Sequence, residues 1–262
     1  MLEGIALHYG YDFRDYALGP LRRNILMSMA LDGVPTISAY QDRVLHDPAS
    51  LERFLNNVGV NVTSMFREAV ALRVLREEIV PWLRTFPSVR IWVAGCATGE
   101  EVASLAIVLR ETGMLNRTRI YATDINERSL TVAAAAVYPL ENVMSGEAGY
   151  KRSGGKGTLR DYYRVTGEVA RLDRSLLAGV TWARHNLTTD ASFNEFHVIL
   201  CTNVLSNFSS PLQRSVHRLL NESLIRGGYL IVGSLESLIN RNRSSTYTRV
   251  HEGAGVYRKA AA

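Results

Sequence analysis

A chain of 262 residues, 47% of them hydrophobic, carries enough apolar material for one large domain or two small ones with a sizeable core. No apolar run reaches membrane-spanning length, and its two cysteines, Cys96 and Cys201, offer neither a disulfide framework nor metal-ligand spacing. The net charge of +5 allows an acidic protein partner without calling for nucleic acid.

The first residues, Met1–Gly10, contain Glu3 and His8 and lack the basic-then-apolar order of a signal peptide. With the two thiols read as small buried side chains in a reducing compartment, the expected setting is cytoplasmic and metal-free. Residues 1 to about 83 read as helical. Leu21, Ile25 and Met29 share one face, with Arg22 and Arg23 beside it, and Asp32-Gly33 and Pro35 end that helix. The arginines form a solvated helix face or a docking surface for an acidic partner. Ser38–Gln41 and Pro48–Asn57 suggest two more short helices. Thr63, followed by Phe66, Arg67 and Glu68, reads as a helix N-cap. The expected division is a helical domain at 1–76, a linker at 77–88 and an α/β domain at 89–262.

The stretch Ile91–Ala106 organises the second part. A strand ending at Ala94 meets the turn Gly95-Cys96-Ala97-Thr98-Gly99, and Glu100 and Glu101 open an apolar-periodic helix. Strand, glycine turn and helix N-terminus form the nucleotide-binding corner of a Rossmann-like sheet. Gly95 and Gly99 would let a ligand approach the backbone. Two acids at the helix start favour a cationic or hydroxyl-rich ligand over a pyrophosphate. No third glycine follows in the dinucleotide spacing. Arg119–Thr123 reads as the next strand, and Asp124 closes it where such sheets hold ribose hydroxyls. Asp124 could also cap the following helix, Glu127–Ala136.

Tyr138-Pro139 stops that helix. Gly146–Gly157, rich in glycine, lysine and serine, reads as a loop. Tyr162–Val165, Val169–Leu172 and Val180–His185 are short and β-like. They suggest an antiparallel β-subdomain at about 146–184. Phe196–Cys201 is a buried-strand pattern, Pro211–Leu224 an amphipathic helix, Tyr229–Gly233 a strand, and Tyr247–His251 with Val256–Lys259 a hairpin. Strands alternating with helices and ending in a hairpin fit the methyltransferase form of the doubly wound sheet.

These residues resemble the CheR-type chemotaxis receptor methyltransferases. The resemblance runs over nearly the whole chain. It rests on Asn61-Val62-Thr63-Ser64-Met65-Phe66-Arg67-Glu68, Gly95–Glu101, Ala122-Thr123-Asp124-Ile125, Tyr138-Pro139, Asn186-Leu187, Cys201-Thr202-Asn203-Val204 and Gly227-Gly228, in that order. It implies an α/β, Rossmann-like S-adenosylmethionine-dependent methyltransferase fold with a small all-helical N-terminal domain and an inserted antiparallel β-subdomain. It implies S-adenosylmethionine as cofactor, S-adenosylhomocysteine as product, and methyl transfer to glutamates on chemoreceptor cytoplasmic helices or a related signalling protein. By the resemblance, Asn61, Thr63, Arg67, Gly95, Glu101, Asp124, Asn186, Leu187 and Asn203 bind cofactor. Glu101 and Asp124 take its methionine and ribose ends in an order left open, and Asn186 and Leu187 flank the adenine. Arg67 and Asn207 are the catalytic candidates.

The substrate side departs from the family pattern. Thr202 stands where the family usually has arginine, and Asn207 where it usually has tyrosine. Glu100-Glu101-Val102-Ala103-Ser104 replaces E-E-P-Y-S, and Met27 and Ser28 stand where a second arginine pair often lies. The alternative function is therefore a CheR-like module that binds S-adenosylmethionine or S-adenosylhomocysteine and signals by docking. A small-molecule methyltransferase fits less well, because the helical domain resembles a protein-docking one.

Overall fold

The computed structural model describes residues 1–58, 63–234, 236, 246–251 and 253–260. The N-terminal part holds the helices α1 (Leu2–Tyr9), α2 (Leu18–Leu31), α3 (Ile37–His46) and α4 (Pro48–Val58). Gly10, at φ 75°, ends α1 in the left-handed conformation that glycine adopts without a Cβ penalty. Thr36 caps α3 by accepting a hydrogen bond from the Ala39 N–H. Ile5, Phe13, Leu21, Met29, Tyr40, Val44 and Phe54 bury together as the core of this helical part.

The segment read as a linker, 77–88, is helical and then turns, and its helical part continues a packed run. Ala69–Val74 (α5), a π-helical turn at Leu75–Ile79, and Val80–Leu83 (α6) form one continuous run. Leu75, Ile79 and Leu83 are fully buried in the core of the α/β part, as are Met65 and Phe66 nearly so. Pro81 supplies no N–H to continue an ordinary α-helical ladder, and the wider turn lies directly before it. Thr63 caps no helix here, since α5 begins at Ala69.

The central sheet is built from β1 (Val89–Ala94), β2 (Thr118–Asp124), β6 (Val180–Arg184), β7 (Phe196–Cys201), β8 (Leu224–Val232), β9 (Tyr247–His251) and β10 (Val256–Lys259). Its order is β6-β2-β1-β7-β8-β10-β9, parallel up to β8, with β10 and β9 added antiparallel. The helices α7 (Glu100–Glu111), α8 (Glu127–Ala135) and α11 (Ser210–Glu222) connect its strands. β1 and β7 are buried along almost their whole length, as expected for strands covered on both faces. The strand order reverses beside β1, between β2 and β7, which is where such sheets open a ligand crevice.

The small second sheet is β3 (Val137–Pro139), β5 (Val169–Leu172) and β4 (Tyr163–Thr166), all antiparallel. Two expectations change here. Val180–Arg184 does not join this flap; it pairs in parallel with Ile120–Asp124 as the edge of the main sheet. A five-residue β-like run does not reveal its partner, because pairing is decided by distant sequence. Gly146–Gly157 is not a plain loop either. It contains α10 (Glu147–Arg152), following α9 (Leu140–Met144), with Tyr150 fully buried. A Cβ at Gly146 would lie 2.5 Å from the Met65 Cβ, and one at Gly149 would lie 2.6 Å from the Phe66 carbonyl oxygen. Those glycines serve close packing rather than freedom of the chain.

Candidate active site

The turn after β1 is held by backbone bonds before any side chain acts. The N–H groups of Gly95 and Cys96 both donate to the Thr123 carbonyl, at 2.8 and 2.9 Å. Gly95 sits at φ 73°, and a Cβ there would meet the Val204 Cγ2 at 2.6 Å. At Gly99, φ 91°, a Cβ would meet the Ala133 Cβ at 2.7 Å. Gly99 therefore serves the approach of α8 to α7. It does not line the cleft, whereas Gly95 does.

Asp124 ends β2 with its carboxylate turned back onto this turn. It accepts hydrogen bonds from the Ala97 N–H and the Asn126 N–H, both at 2.9 Å. The capping role expected of it falls to Asn126, whose side chain accepts from the Arg128 and Ser129 N–H groups at the start of α8. Burial pushes the Asp124 carboxyl above the ordinary carboxylate range, against the opposing effect of its backbone donors. Glu100, also raised by burial, accepts from the Thr98 hydroxyl at 2.7 Å and stays out of the cleft.

Glu101 projects from the first turn of α7 into the cleft. Desolvation raises its pKa to about 7, and the nearby acids Glu68 and Glu236 push in the same direction. The Thr202 hydroxyl donates to its Oε1 at 2.7 Å, which opposes the rise, as does the Arg67 charge. The loop after β7 carries Thr202, Asn203 and Asn207. Asn203 adopts φ 59°, and its Nδ2 reaches Glu68 Oε1 at 3.4 Å. Asn207 Nδ2 donates to the Asn203 carbonyl at 3.4 Å.

One cleft of about 1010 Å³, open mouth included, collects these groups. Thr63, Arg67, Gly95, Glu101, Asp124, Asn186, Leu187, Asn203 and Asn207 all line it. Asn61 lies outside the described residues. Asn186 uses its own Oδ1 locally, accepting from the Thr188 N–H and hydroxyl, so its amide N–H₂ is the group left for a ligand.

Three participants were not singled out from the sequence. Glu236, only 8% exposed, accepts from the backbone N–H groups of Asn203, Ser206 and Gly233 at 2.8, 2.9 and 3.0 Å and so fixes the loop after β7. Glu68 accepts from the Ser234 N–H at 3.2 Å besides Asn203. Tyr16 reaches the cleft from the helical part. The order Gly-Ser-Leu-Glu at 233–236 was the only signal for Glu236, and its partners 30 and 33 residues away are invisible to local patterns.

The donor set suits S-adenosylmethionine. Asp124 places a half-buried acceptor where a pair of hydroxyls can donate, and Glu101, among acids, is matched to a cationic group. Gly95, whose missing Cβ leaves room for Val204, contributes its backbone to the wall between them.

Known proteins agree with this geometry. Residues 61–253 match the family model described as the CheR methyltransferase, SAM binding domain, and residues 1–58 match the CheR methyltransferase, all-alpha domain. A Pseudomonas putida protein named "Putative methyltransferase Cher3" is 40% identical over 260 residues, 99% of this chain and 95% of its own length. A "Chemotaxis protein methyltransferase" of Listeria innocua is 27% identical, covering 88% of this chain and 86% of its own. "Chemotaxis protein methyltransferase 1" of Pseudomonas aeruginosa is 27% identical, covering 91% and 88%. With an all-helical part, a methyltransferase sheet and an S-adenosylmethionine site in one chain, this protein belongs to the CheR methyltransferase family.

Proposed function

We propose that this chain transfers the methyl group of S-adenosylmethionine to glutamate side chains of a chemoreceptor or a related signalling protein. The reading is supported by the family and by relatives named as chemotaxis protein methyltransferases. The observation that carries it is that the cofactor candidates and the acceptor-side residues Arg67, Thr202 and Asn207 line the same cleft.

S-adenosylmethionine supplies a methyl group already activated on a sulfonium. A glutamate carboxylate is ionised at neutral pH, with a reference pKa of about 4.3, so the acceptor needs no general base. What the protein contributes is position. In this reading Asp124 and Asn186 hold the adenosyl end, Glu101 and Asn203 hold the methionine end, and Thr63 and Arg67 border the reacting centre. Arg67, exposed at the cleft, orients the incoming carboxylate, and Asn207 takes the wall beside it.

Radiolabelled S-adenosylmethionine, incubated with receptor cytoplasmic fragments, tests this directly. Base-labile label on the fragment, released as methanol, identifies a glutamate methyl ester. Tight S-adenosylhomocysteine binding without label on any receptor fragment would favour the signalling-module alternative.

A further inference from the structure

The helical part does more than stand beside the cleft. Its segment Asp15–Ala17 meets the loop after β7 through an isolated β-bridge. Tyr16 and Phe208 form an antiparallel bridge. The Ala17 N–H donates to the Asn207 carbonyl at 2.8 Å, and the Ser209 N–H donates to the Asp15 carbonyl at 2.9 Å. This pairing fixes the Tyr16 backbone next to the loop that carries Asn203 and Asn207.

The ring is fixed as well. It meets Phe13 edge-on at 5.0 Å and Phe208 edge-on at 5.0 Å. Such contacts set the direction of the phenol. Tyr16 lines the cleft in the company of Asp124, Ile125, His185 and Asn186, with its phenol near enough to the Asp124 carboxylate to feel its charge. Burial and the Asp124 carboxylate hold the phenol above its ordinary pKa, so it stays protonated and able to donate. No hydrogen bond from that hydroxyl is found among the described residues, although the neighbouring polar groups Asp124 and Asn186 are engaged with the backbone or with local side chains. A rigid, protonated donor on the wall of a ligand cleft is suited to an acceptor on the ligand.

We propose that Tyr16 is a cofactor-binding residue: its hydroxyl hydrogen-bonds the adenosyl portion of S-adenosylmethionine beside Asp124, so that the helical domain completes the cofactor site. This rests on the S-adenosylmethionine site described above and adds a contact from a domain outside the SAM-binding match at residues 61–253. Its consequence is that cofactor binding and the placement of the acceptor-side loop are linked through one tyrosine.

The test compares S-adenosylhomocysteine binding by calorimetry for the full chain and for Tyr16→Phe, with thermal unfolding of both in the absence of ligand. The phenylalanine keeps both ring contacts and removes only the hydroxyl. The expected result is an affinity loss of about five- to tenfold, with the ligand-free melting temperature within about a degree of the parent. Unchanged affinity overturns the proposal. A comparable loss accompanied by a melting temperature several degrees lower also overturns it, because the hydroxyl would then be structural. If the parent chain binds no S-adenosylhomocysteine, the cofactor site and this proposal fail together. Intact parent binding with unchanged Tyr16→Phe binding removes this proposal alone.

Discussion

Thr202 donates its hydroxyl to Glu101 Oε1 at 2.7 Å, joining the end of β7 to the first turn of α7. Glu101 is half-buried at the cleft and close to Glu68 and Glu236, so a neutral hydroxyl is modest support for a carboxylate whose pKa lies near 7. An arginine at residue 202, the residue usual in the resembling family, would place a full positive charge there. The exchange leaves an acid that changes charge in the physiological range.

The consequence for stability has a definite sign. The folded pKa of Glu101 is raised to about 7 from an ordinary 4.5, so between these values the folded state binds more protons than the unfolded chain. Stability from this group is fully present below the ordinary value and is lost as pH rises through about 7. The contribution is on the order of 3 kcal/mol for a shift of that size. Thermal unfolding of the ligand-free chain should therefore show a downward slope between pH 5 and 7.5, about that wide, which Glu101→Gln flattens. A Glu101→Gln profile parallel to the parent would show that Glu101 titrates normally.

Asp124 should dominate cofactor affinity. It is held by the Ala97 and Asn126 N–H groups and is half-buried at the strand end. Asp124→Asn keeps a carbonyl oxygen for one of those donors but removes the charge. The loss of charge-assisted bonds is worth about 1.5–3 kcal/mol, or roughly tenfold or more in S-adenosylhomocysteine affinity. Unchanged calorimetric affinity would remove Asp124 from the ribose contact.

Glu236 is expected to matter for the loop more than for the chemistry. Its two oxygens satisfy the N–H groups of Asn203, Ser206 and Gly233, and Asn203 sits in the left-handed region. Glu236→Gln must turn an N–H₂ toward at least one of those donors. The expected cost is about 1–3 kcal/mol in urea unfolding, with kcat falling because Asn207 rides on the same loop. A variant with parent stability and parent kcat would show that the loop holds itself.

A buried network explains why part of the fold was legible in the sequence and part was not. The Gly95–Glu101 turn, Asp124 and the Cys201–Val204 strand end were legible because a strand, its turn and the next helix are contiguous in sequence. The segment 146–157 was not, because its order comes from remote partners. Tyr150 donates to Glu111 Oε1 at 2.5 Å, Tyr162 donates to the same oxygen at 2.9 Å, and Arg76 pairs with Glu111 Oε2 at 2.5 Å. Glycine, lysine and serine composition says nothing about an acid on α7. Likewise Val180–Arg184 reads as β-like, yet its place beside β2 depends on a register with Ile120–Asp124. Tyr16 was missed for the same reason, since its role depends on Phe208 far along the chain.

That network carries its own prediction. Glu111 and Arg76 are each only 15% exposed at the side chain, and Tyr150 and Tyr162 share the same acid. Glu111→Ala would leave two phenols without their shared acceptor and the Arg76 guanidinium with only the Ser153 carbonyl, at 3.1 Å. Removing one partner of a largely buried pair costs about 3–5 kcal/mol. The urea midpoint should fall accordingly, and proteolysis should begin between Lys151 and Lys156, where the segment loses its anchor. A midpoint within error of the parent would mean that the phenols and Arg76 find other partners at no cost.

The acceptor side gives the sharpest test of activity. Thr202 and Asn207 occupy the wall where the resembling family carries arginine and tyrosine, and both line the cleft. Both are small and uncharged. Glu68, Glu101 and Glu236 cluster at that wall, with Arg67 as the opposing charge. An incoming glutamate carboxylate therefore meets acids and little positive potential. The natural chain should methylate ordinary receptor glutamates weakly while binding S-adenosylhomocysteine normally. Thr202→Arg would pair with Glu101, lower its pKa and present remaining guanidinium donors to the acceptor, replacing the single hydroxyl bond at 2.7 Å. Asn207→Tyr would narrow the opening beside Phe208. The double variant should raise receptor methylation, and the two changes should combine non-additively because both act on one acceptor. Strong methylation by the natural chain would show that Arg67 suffices to orient the carboxylate. Failure of both forms, with intact cofactor binding, would favour the signalling-module alternative.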